Sequence, residues 1–99
     1  MPRSKFAHPD AIRFGKLIND LRRQHEWTMQ EFSRRANMTA NYLSLLERGL
    51  NLPSLTTVIH LASVLGVDPG ELVRHVAAGH KPATRAVLRP LPEDEGDGG

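Results

Sequence analysis

The sequence predicts an all-α fold, a bundle of five helices. Between residues 10 and 79, apolar residues recur at spacings of three and four, and no stretch shows the two-residue alternation of a half-buried strand. Side chains that cap helices stand before these apolar segments, and residues that end helices follow them. The chain has 99 residues, with 39% hydrophobic and 24% charged. This length and composition indicate one small globular domain.

The first two helices are predicted from apolar spacing and from their ends. The first follows Pro9-Asp10 and ends near His25, and its apolar residues share one face: Phe14, Leu17, Ile18 and Leu21. The second begins after Thr28, with Glu31 three residues later in the pattern of a capping box. It ends at Ala36-Asn37, where the asparagine can adopt the left-handed conformation that ends helices.

Three further helices are predicted in the same way. Thr39 caps the third, which stops at Arg48-Gly49. Ser54 caps the fourth, which ends at Gly66, and Asp68-Pro69 begins the fifth, with proline at the first helical position. The apolar residues that these three helices carry are Tyr42, Leu43, Leu46, Leu55, Val58, Ile59, Ala62, Leu65, Leu72, Val73 and Val76, and those of the fourth form an apolar stripe.

The two ends of the chain are predicted to differ from the middle. Residues 1–9 hold two prolines and are expected to form a flexible arm, and residues 10–79 to form the folded domain. Residues 80–99 are rich in Pro, Gly and acids and are expected to be a largely disordered tail. Residues 1–50 carry nine Lys/Arg against five Asp/Glu, whereas residues 90–99 carry four acids and no base. The basic half is suited to a polyanionic partner.

Several classes of function are excluded or disfavoured. Cysteine is absent, which excludes disulfides and thiolate metal sites, and no two of the five histidines lie four residues apart on one helix. No Ser-His-Asp arrangement or glycine-rich phosphate loop can be read, so we expect no enzyme, metal or cofactor. No apolar run approaches the roughly 20 residues of a membrane span, and no secretory signal precedes the domain. A cytoplasmic, nucleoid-associated protein is expected.

The second and third helices are short and joined by only about three residues. Helices at that spacing cannot lie antiparallel and must cross at a wide angle, as in a helix-turn-helix. In such a unit the third helix lies in the major groove of DNA. A plain helical hairpin within an all-α domain is the alternative that spacing alone leaves open.

The residues of this unit resemble a known family. Residues 27–49 read WTMQEFSRRANMTANYLSLLERG, and they are followed by LNLPSL at 50–55, LASVLGV at 61–67 and Glu71-Leu72. This ordered set resembles the lambda-repressor/Cro-like helix-turn-helix family, of the xenobiotic-response-element type, over about Ile12 to Val76. The resemblance implies a transcriptional regulator that binds double-stranded DNA.

The resemblance also implies which residues read bases. Ala40, Asn41, Ser44 and Leu45 match the base-facing positions at the start of the recognition helix. Asn41 is the best candidate, because an amide can bond adenine in a bidentate way. Ala40 and Leu45 depart from relatives that carry glutamine or arginine there, and they can contact only thymine methyl groups. Few base hydrogen bonds are therefore expected, or a readout that is shared with Arg48 and DNA shape.

Other positions match phosphate contacts. The candidates are Thr28, Gln30, Thr39, Tyr42, Arg48 and Asn51. Met29 departs from relatives with glutamine after the cap and cannot donate that hydrogen bond. Arg34 and Arg35 are weaker candidates, and the basic arm that holds Arg3 and Lys5 is a further one.

Two residues are implied to be structural. By resemblance, Arg22 and Glu47 form a salt bridge that ties the first helix to the end of the third. Such a pair would fix the angle of the recognition helix rather than contact DNA.

The fifth helix carries more apolar residues than one small core needs. Val67, Leu72, Val73 and Val76, together with Val87 and Leu88, predict a two-fold dimer interface, or alternatively packing on the first and fourth helices. A homodimer would place two recognition helices about 34 Å apart on an inverted-repeat operator.

The biological role stays open at the level of sequence. A repressor is expected, with activation from an upstream site as the alternative. A phage-type repressor, a restriction–modification controller and an antitoxin that binds a toxin through the segment after Gly79 all fit. An adaptor that uses the same fold to bind a protein instead of DNA is a further possibility.

Overall fold

A computed structural model describes residues 8–80 of the chain, and that part consists of five helices joined by short connections. They are α1 (Pro9–Gln24), α2 (Met29–Ala36), α3 (Ala40–Glu47), α4 (Leu55–Leu65) and α5 (Pro69–Ala77). Within the described residues there is no strand, so the all-α prediction is confirmed. The predictions for residues 1–7 and 81–99, including those for Arg3, Lys5, Val87 and Leu88, lie outside the described residues.

The helices begin where side chains can cap them. Each of four predicted caps accepts a hydrogen bond from the backbone N–H three residues later: Thr28, Thr39, Ser54 and Asp68. The first helix differs, because His8 caps it by accepting from the N–H of Asp10 at 3.0 Å. Helix α1 therefore includes Pro9, which the sequence placed in the arm.

The helix ends also follow the local chemistry. Asn37 ends α2 at φ 57°, and Gly66 ends α4 at φ 76°, both in the left-handed region. In that region glycine carries no steric cost and asparagine a small one. The predicted stop signals at these two positions are confirmed.

All five helices contribute side chains to one core. The innermost residues are fully buried, and they are Ile18, Phe32, Leu43, Leu46, Leu61 and Leu65. Leu72 of α5 closes the same cluster at 2% exposure. Burying each such side chain stabilises the fold by about 1.5–3 kcal/mol. The core thus holds α3 by its inner face, Leu43 and Leu46, and leaves the opposite face outside.

The predicted apolar stripe of α4 requires a correction. Leu55 is 70% exposed and Ile59 is 50% exposed, whereas Leu61, which the prediction left out, is fully buried. The helix carries apolar residues on more than one face, so spacing alone does not identify the face that packs inward. The core side is formed by Leu61, Ala62 and Leu65, and Leu55 and Ile59 remain on the surface.

Helix α1 crosses the end of α3 at very short range. A Cβ atom added to Gly15 would lie 2.3 Å from the carbonyl oxygen of Leu46 and 2.6 Å from that of Glu47. Only a residue without a side chain allows two backbones to approach so closely. Gly15 therefore sets the distance between α1 and the C-terminal end of α3.

Candidate nucleic-acid interface

Helices α2 and α3 are connected by residues 37–39 alone, and their N-terminal ends border one groove. The groove has a volume of about 470 Å³ and is lined mainly by polar residues: Thr28, Gln30, Glu31, Ser33, Arg34 and Ala40. Two predicted phosphate contacts, Thr28 and Gln30, are thus brought beside the predicted base contact Ala40. The groove joins the starts of both helices of the predicted unit.

The connection between the two helices is held by hydrogen bonds. The hydroxyl of Ser33 donates to the carbonyl oxygen of Met38, whose own N–H donates to the carbonyl of Ser33 at 3.2 Å. Asn37 supplies the left-handed turn between them. These bonds fix the start of α3 relative to α2. Sequence reasoning did not single out Ser33, which resembles any exposed helix serine.

The outward face of α3 carries the four predicted base-reading residues. Asn41 is exposed, and Ala40, Ser44 and Leu45 are partly exposed. Leu43 and Leu46 point into the core between them. The four side chains are therefore accessible to a partner, and their contact with bases remains a prediction.

The predicted phosphate contacts are distributed around α2 and α3. Thr28, Gln30, Thr39 and Arg48 are exposed, and Tyr42 and Asn51 are partly exposed. The two threonine hydroxyls accept N–H bonds at their own helix starts, which leaves the hydroxyl proton free to be donated. Arg48 lies at the end of α3 and, among residues 8–80, pairs with no carboxylate within 4.0 Å.

Arg34 and Arg35 are differently placed, because both bind the carboxylate of Glu31. Arg35 Nε lies 2.7 Å from Glu31 Oε2, and Arg34 binds the other oxygen. Arg35 also lies over the ring of Trp27, 4.6 Å from its centroid. Glu31 therefore engages the two arginines in the described contacts. A phosphate would have to compete with Glu31 for either arginine.

Arg22 and Glu47 form a two-pronged ion pair between α1 and α3. Arg22 Nε and Nη2 donate to the two Glu47 oxygens at 2.7 and 3.1 Å, and Asn19 Nδ2 donates at 2.8 Å. The third Arg22 nitrogen donates to the carbonyl oxygen of Trp27 at 2.8 Å. The side chains of Arg22 and Glu47 are only 15% and 7% exposed. Hydrogen bonding to Glu47 raises the pKa of Arg22 above its usual value, against the effect of burial.

Trp27 organises the connection between α1 and α2. Its ring stacks on His25 at 4.1 Å between centroids and lies 6.1 Å from Phe32 of the core. His25 Nε2 in turn lies 2.8 Å from the carbonyl oxygen of Leu65. This cluster was not predicted from sequence, although the single tryptophan of the chain beside a helix cap was an available signal.

The predicted dimer residues fall into two groups. Leu72 is 2% exposed within the single chain, so it packs in the core of its own protomer and offers no surface to a second copy. Val67 and Val76 pack against that core, and Val73 is 49% exposed. Helical spacing did not separate the inward face of α5 from its outward face.

Neither a metal-binding cluster nor a membrane-spanning helix is present among residues 8–80. Among residues 8–80, no group of three or more His, Cys, Asp or Glu side chains is placed to hold a metal ion. No helix in the same range is long and apolar enough to cross a membrane.

Comparison with known proteins identifies the family. A helix-turn-helix family profile matches residues 18–72, which include α2, the connection and α3. The chain belongs to the helix-turn-helix family of the xenobiotic-response-element type. Within this family it is similar to the uncharacterized HTH-type transcriptional regulator y4dJ of Sinorhizobium fredii. The identity is 43% over 59 residues, which are 60% of this chain and 77% of that protein.

Solved structures agree with the family. The restriction–modification controller protein C.AhdI from Aeromonas hydrophila matches with a TM-score of 0.62 and 26% identity, over 66% of this chain and 98% of that chain. The clp gene regulator ClgR from C. glutamicum matches with a TM-score of 0.65 and 21% identity, over 73% and 94% of the two chains, which shows a shared fold. The protein is therefore a DNA-binding helix-turn-helix transcriptional regulator.

Proposed function

We propose that this regulator represses transcription by binding an inverted-repeat operator as a homodimer. The observation that carries the proposal is the exposed face of α3, with Asn41 outermost, beside the groove that joins the starts of α2 and α3. A recognition helix docks in the major groove with its N-terminal residues toward base edges. Occupation of a promoter by such a dimer excludes the polymerase.

In this proposal, contacts to phosphates and contacts to bases have different roles. Exposed groups at the helix starts and Arg48, which has no carboxylate partner among residues 8–80, contact phosphates, and these contacts give salt-dependent affinity and set the register. Asn41 and Ser44 supply the hydrogen bonds to base edges. Because Ala40 and Leu45 are apolar, they can favour a base only by contacting a thymine methyl group.

Asn41→Ala and Arg48→Ala should affect DNA binding in different ways. Asn41→Ala is expected to weaken binding to an operator selected from a random library by about 1–3 kcal/mol and to relax base preference. Arg48→Ala should weaken all sequences alike and reduce the slope of log K against log salt by about 1. Titrations at two salt concentrations, with operator and unrelated DNA, measure both.

The matched control is Arg74→Ala on α5, whose side chain is exposed and paired with Glu71. It should leave both the affinity and the salt slope unchanged. If the unmodified protein shows no salt-sensitive binding and no sequence preference, repression by direct operator binding is refuted and a protein adaptor is favoured.

The dimer is proposed to form through the exposed apolar residues of α4. Leu55 and Ile59, one turn apart on this helix, are 70% and 50% exposed. Large apolar side chains clustered on a small domain commonly mark a contact surface. A domain of this size also buries only about 60% of its unfolded surface, so a partner adds stability. This surface replaces Leu72 in the predicted interface.

Ile59→Asp should convert the dimer to a monomer, because a charge would be buried in an apolar contact. Gln24→Asp is the matched control, since it adds the same charge at an exposed position on α1, outside this surface. Sedimentation equilibrium at micromolar concentration gives the oligomeric state. An unmodified chain that is monomeric both free and on DNA would contradict the homodimer.

A further inference from the structure

An apolar cleft lies between α1, α4, α5 and the segment before α4. It has a volume of about 350 Å³, and its walls are formed by Phe14, Val58, Val73 and Val76, with Leu52-Pro53 along one edge. A cavity of about 150 Å³ accommodates a benzene molecule, so this one has room for about two aliphatic side chains. Leu55 and Ile59 do not line it.

The chain leaves the described domain at the rim of this cleft. His80, the last described residue, is itself a lining residue, and its Nδ1 lies 2.8 Å from Asp10 Oδ2. Arg13 Nε donates to the carbonyl oxygen of Val76 at 3.2 Å and so holds the end of α5 against α1. Burial acts to raise the pKa of Asp10, but hydrogen bonds from His80 and Arg13 lower it below its usual value. The exit point of the following segment is thereby fixed.

The sequence after His80 contains one apolar stretch. Ala86-Val87-Leu88, followed by Leu91, is the only place in residues 81–99 where large aliphatic side chains occur. The rest is charged, proline, glycine or small, and an acidic end has no reason to enter an apolar cleft. Six residues separate His80 from Val87 and span at most about 20–22 Å when extended. This length is sufficient for Val87 to return to the cleft, because His80 itself lines it.

We propose that Val87 and Leu88 of the same chain occupy this cleft, so that the C-terminal segment is an integral packing element of the domain. Three observations favour this segment as the occupant. The chain leaves the domain at His80 beside the cleft, the connection is long enough to return, and both the segment and the cleft are apolar. The proposal does not depend on DNA binding. It gives residues 81–88 a structural role and makes the acidic end, with Glu93, Asp94, Glu95 and Asp97, begin beside α1 and α5.

The absence of cysteine allows a direct test by spin labelling. A nitroxide on Arg89→Cys should broaden the amide signals of Phe14, Val58 and Val73 in a ¹⁵N-labelled full-length chain. The same label on Gly98→Cys, farther along the segment, is the control and should broaden them much less. Equal broadening by both labels, or none by either, would overturn the proposal.

The labelled chain is then diluted into excess unlabelled chain, so that a segment from a second copy carries no nitroxide. Broadening that persists supports the intramolecular contact. Broadening that disappears on dilution overturns it and assigns the cleft to the segment of a partner.

A thermal measurement tests the contact independently. Val87→Asp with Leu88→Asp should lower Tm by about 4 °C or more. Gly96→Asp with Gly98→Asp adds the same charge to the same segment and should leave Tm unchanged. Because all four positions lie outside the described domain, the core itself is not altered. Equal Tm values for the two double variants would contradict the proposal.

Discussion

Glu47→Ala is expected to lower the free energy of unfolding by about 3–5 kcal/mol and to weaken DNA binding. Removing the carboxylate would leave the Arg22 guanidinium, 15% exposed, without its charged partner between α1 and α3. Asn19 would lose its acceptor at the same time. Since a domain has only about 5–15 kcal/mol in total, a loss of this size would be visible directly in urea or thermal unfolding.

A matched control separates burial from the mere presence of an ion pair. Glu71 is paired with Arg74 at 2.9 Å, a distance like that between Glu47 and Arg22. Both side chains of the Glu71–Arg74 pair, however, are more than two-thirds exposed. Glu71→Ala should therefore cost less than about 1 kcal/mol. If Glu47→Ala and Glu71→Ala had equal effects, the argument from burial would fail.

The double variant Arg22→Met with Glu47→Leu separates stability from DNA binding. Apolar replacement of a buried ion pair is often neutral or stabilising, so unfolding should return toward that of the original protein. If the pair also sets the angle of α3, the double variant should remain weak in DNA binding although it is folded. Full recovery of binding would show that packing alone sets this angle.

The helices of this protein were predictable because their ends are local events. Thr28, Thr39, Ser54 and Asp68 each need only a backbone N–H three residues away, and Asn37 needs only its own left-handed conformation. No tertiary contact enters either choice. The starts of α2 to α5 and the ends of α2 and α4 therefore follow from neighbours in sequence.

The choice between faces was not predictable in the same way. Leu55 and Ile59 fit a helical stripe as well as Leu61 does, and only the packing of α4 against its neighbours decides that Leu61 is buried. Leu72 shows the converse, since the sequence predicts it as surface for a partner whereas it closes the core. Helical period identifies a face and does not identify what covers it.

Some features of the candidate interface were predictable from local sequence, and others depend on side-chain contacts. The order of α2, connection and α3 was predictable, and the exposure of Asn41 follows from the burial of Leu43 and Leu46 on the other face. The engagement of Arg34 and Arg35 by Glu31 was not predicted, because the sequence pattern also fits a capping box. Where a side chain has two possible partners, its rotamer determines which one it binds, and the sequence does not specify the rotamer.

Gly15→Ala is expected to destabilise the protein, against the preference of helices for alanine. Helix propensity alone would favour the change by about 1 kcal/mol. The added Cβ, however, would lie 2.3 and 2.6 Å from two backbone carbonyl oxygens of α3, and backbone cannot rotate away as a side chain can. Overpacking costs about 1–3 kcal/mol, and the displaced α3 should also bind DNA more weakly.

Gly70→Ala provides the opposite case on α5. Its added Cβ would lie 2.8 Å from Asp68 Oδ2, which accepts the N–H of Glu71 at the start of α5, and no backbone atom is among its nearest contacts. Moving this carboxylate weakens the helix cap by about as much as alanine gains in helix propensity, so stability should change by less than about 1 kcal/mol. Urea unfolding of the two variants compares helix preference with close approach in one protein. Stabilisation of both variants would show that α1 and α3 can separate freely, in which case Gly15 would not be what positions the recognition helix.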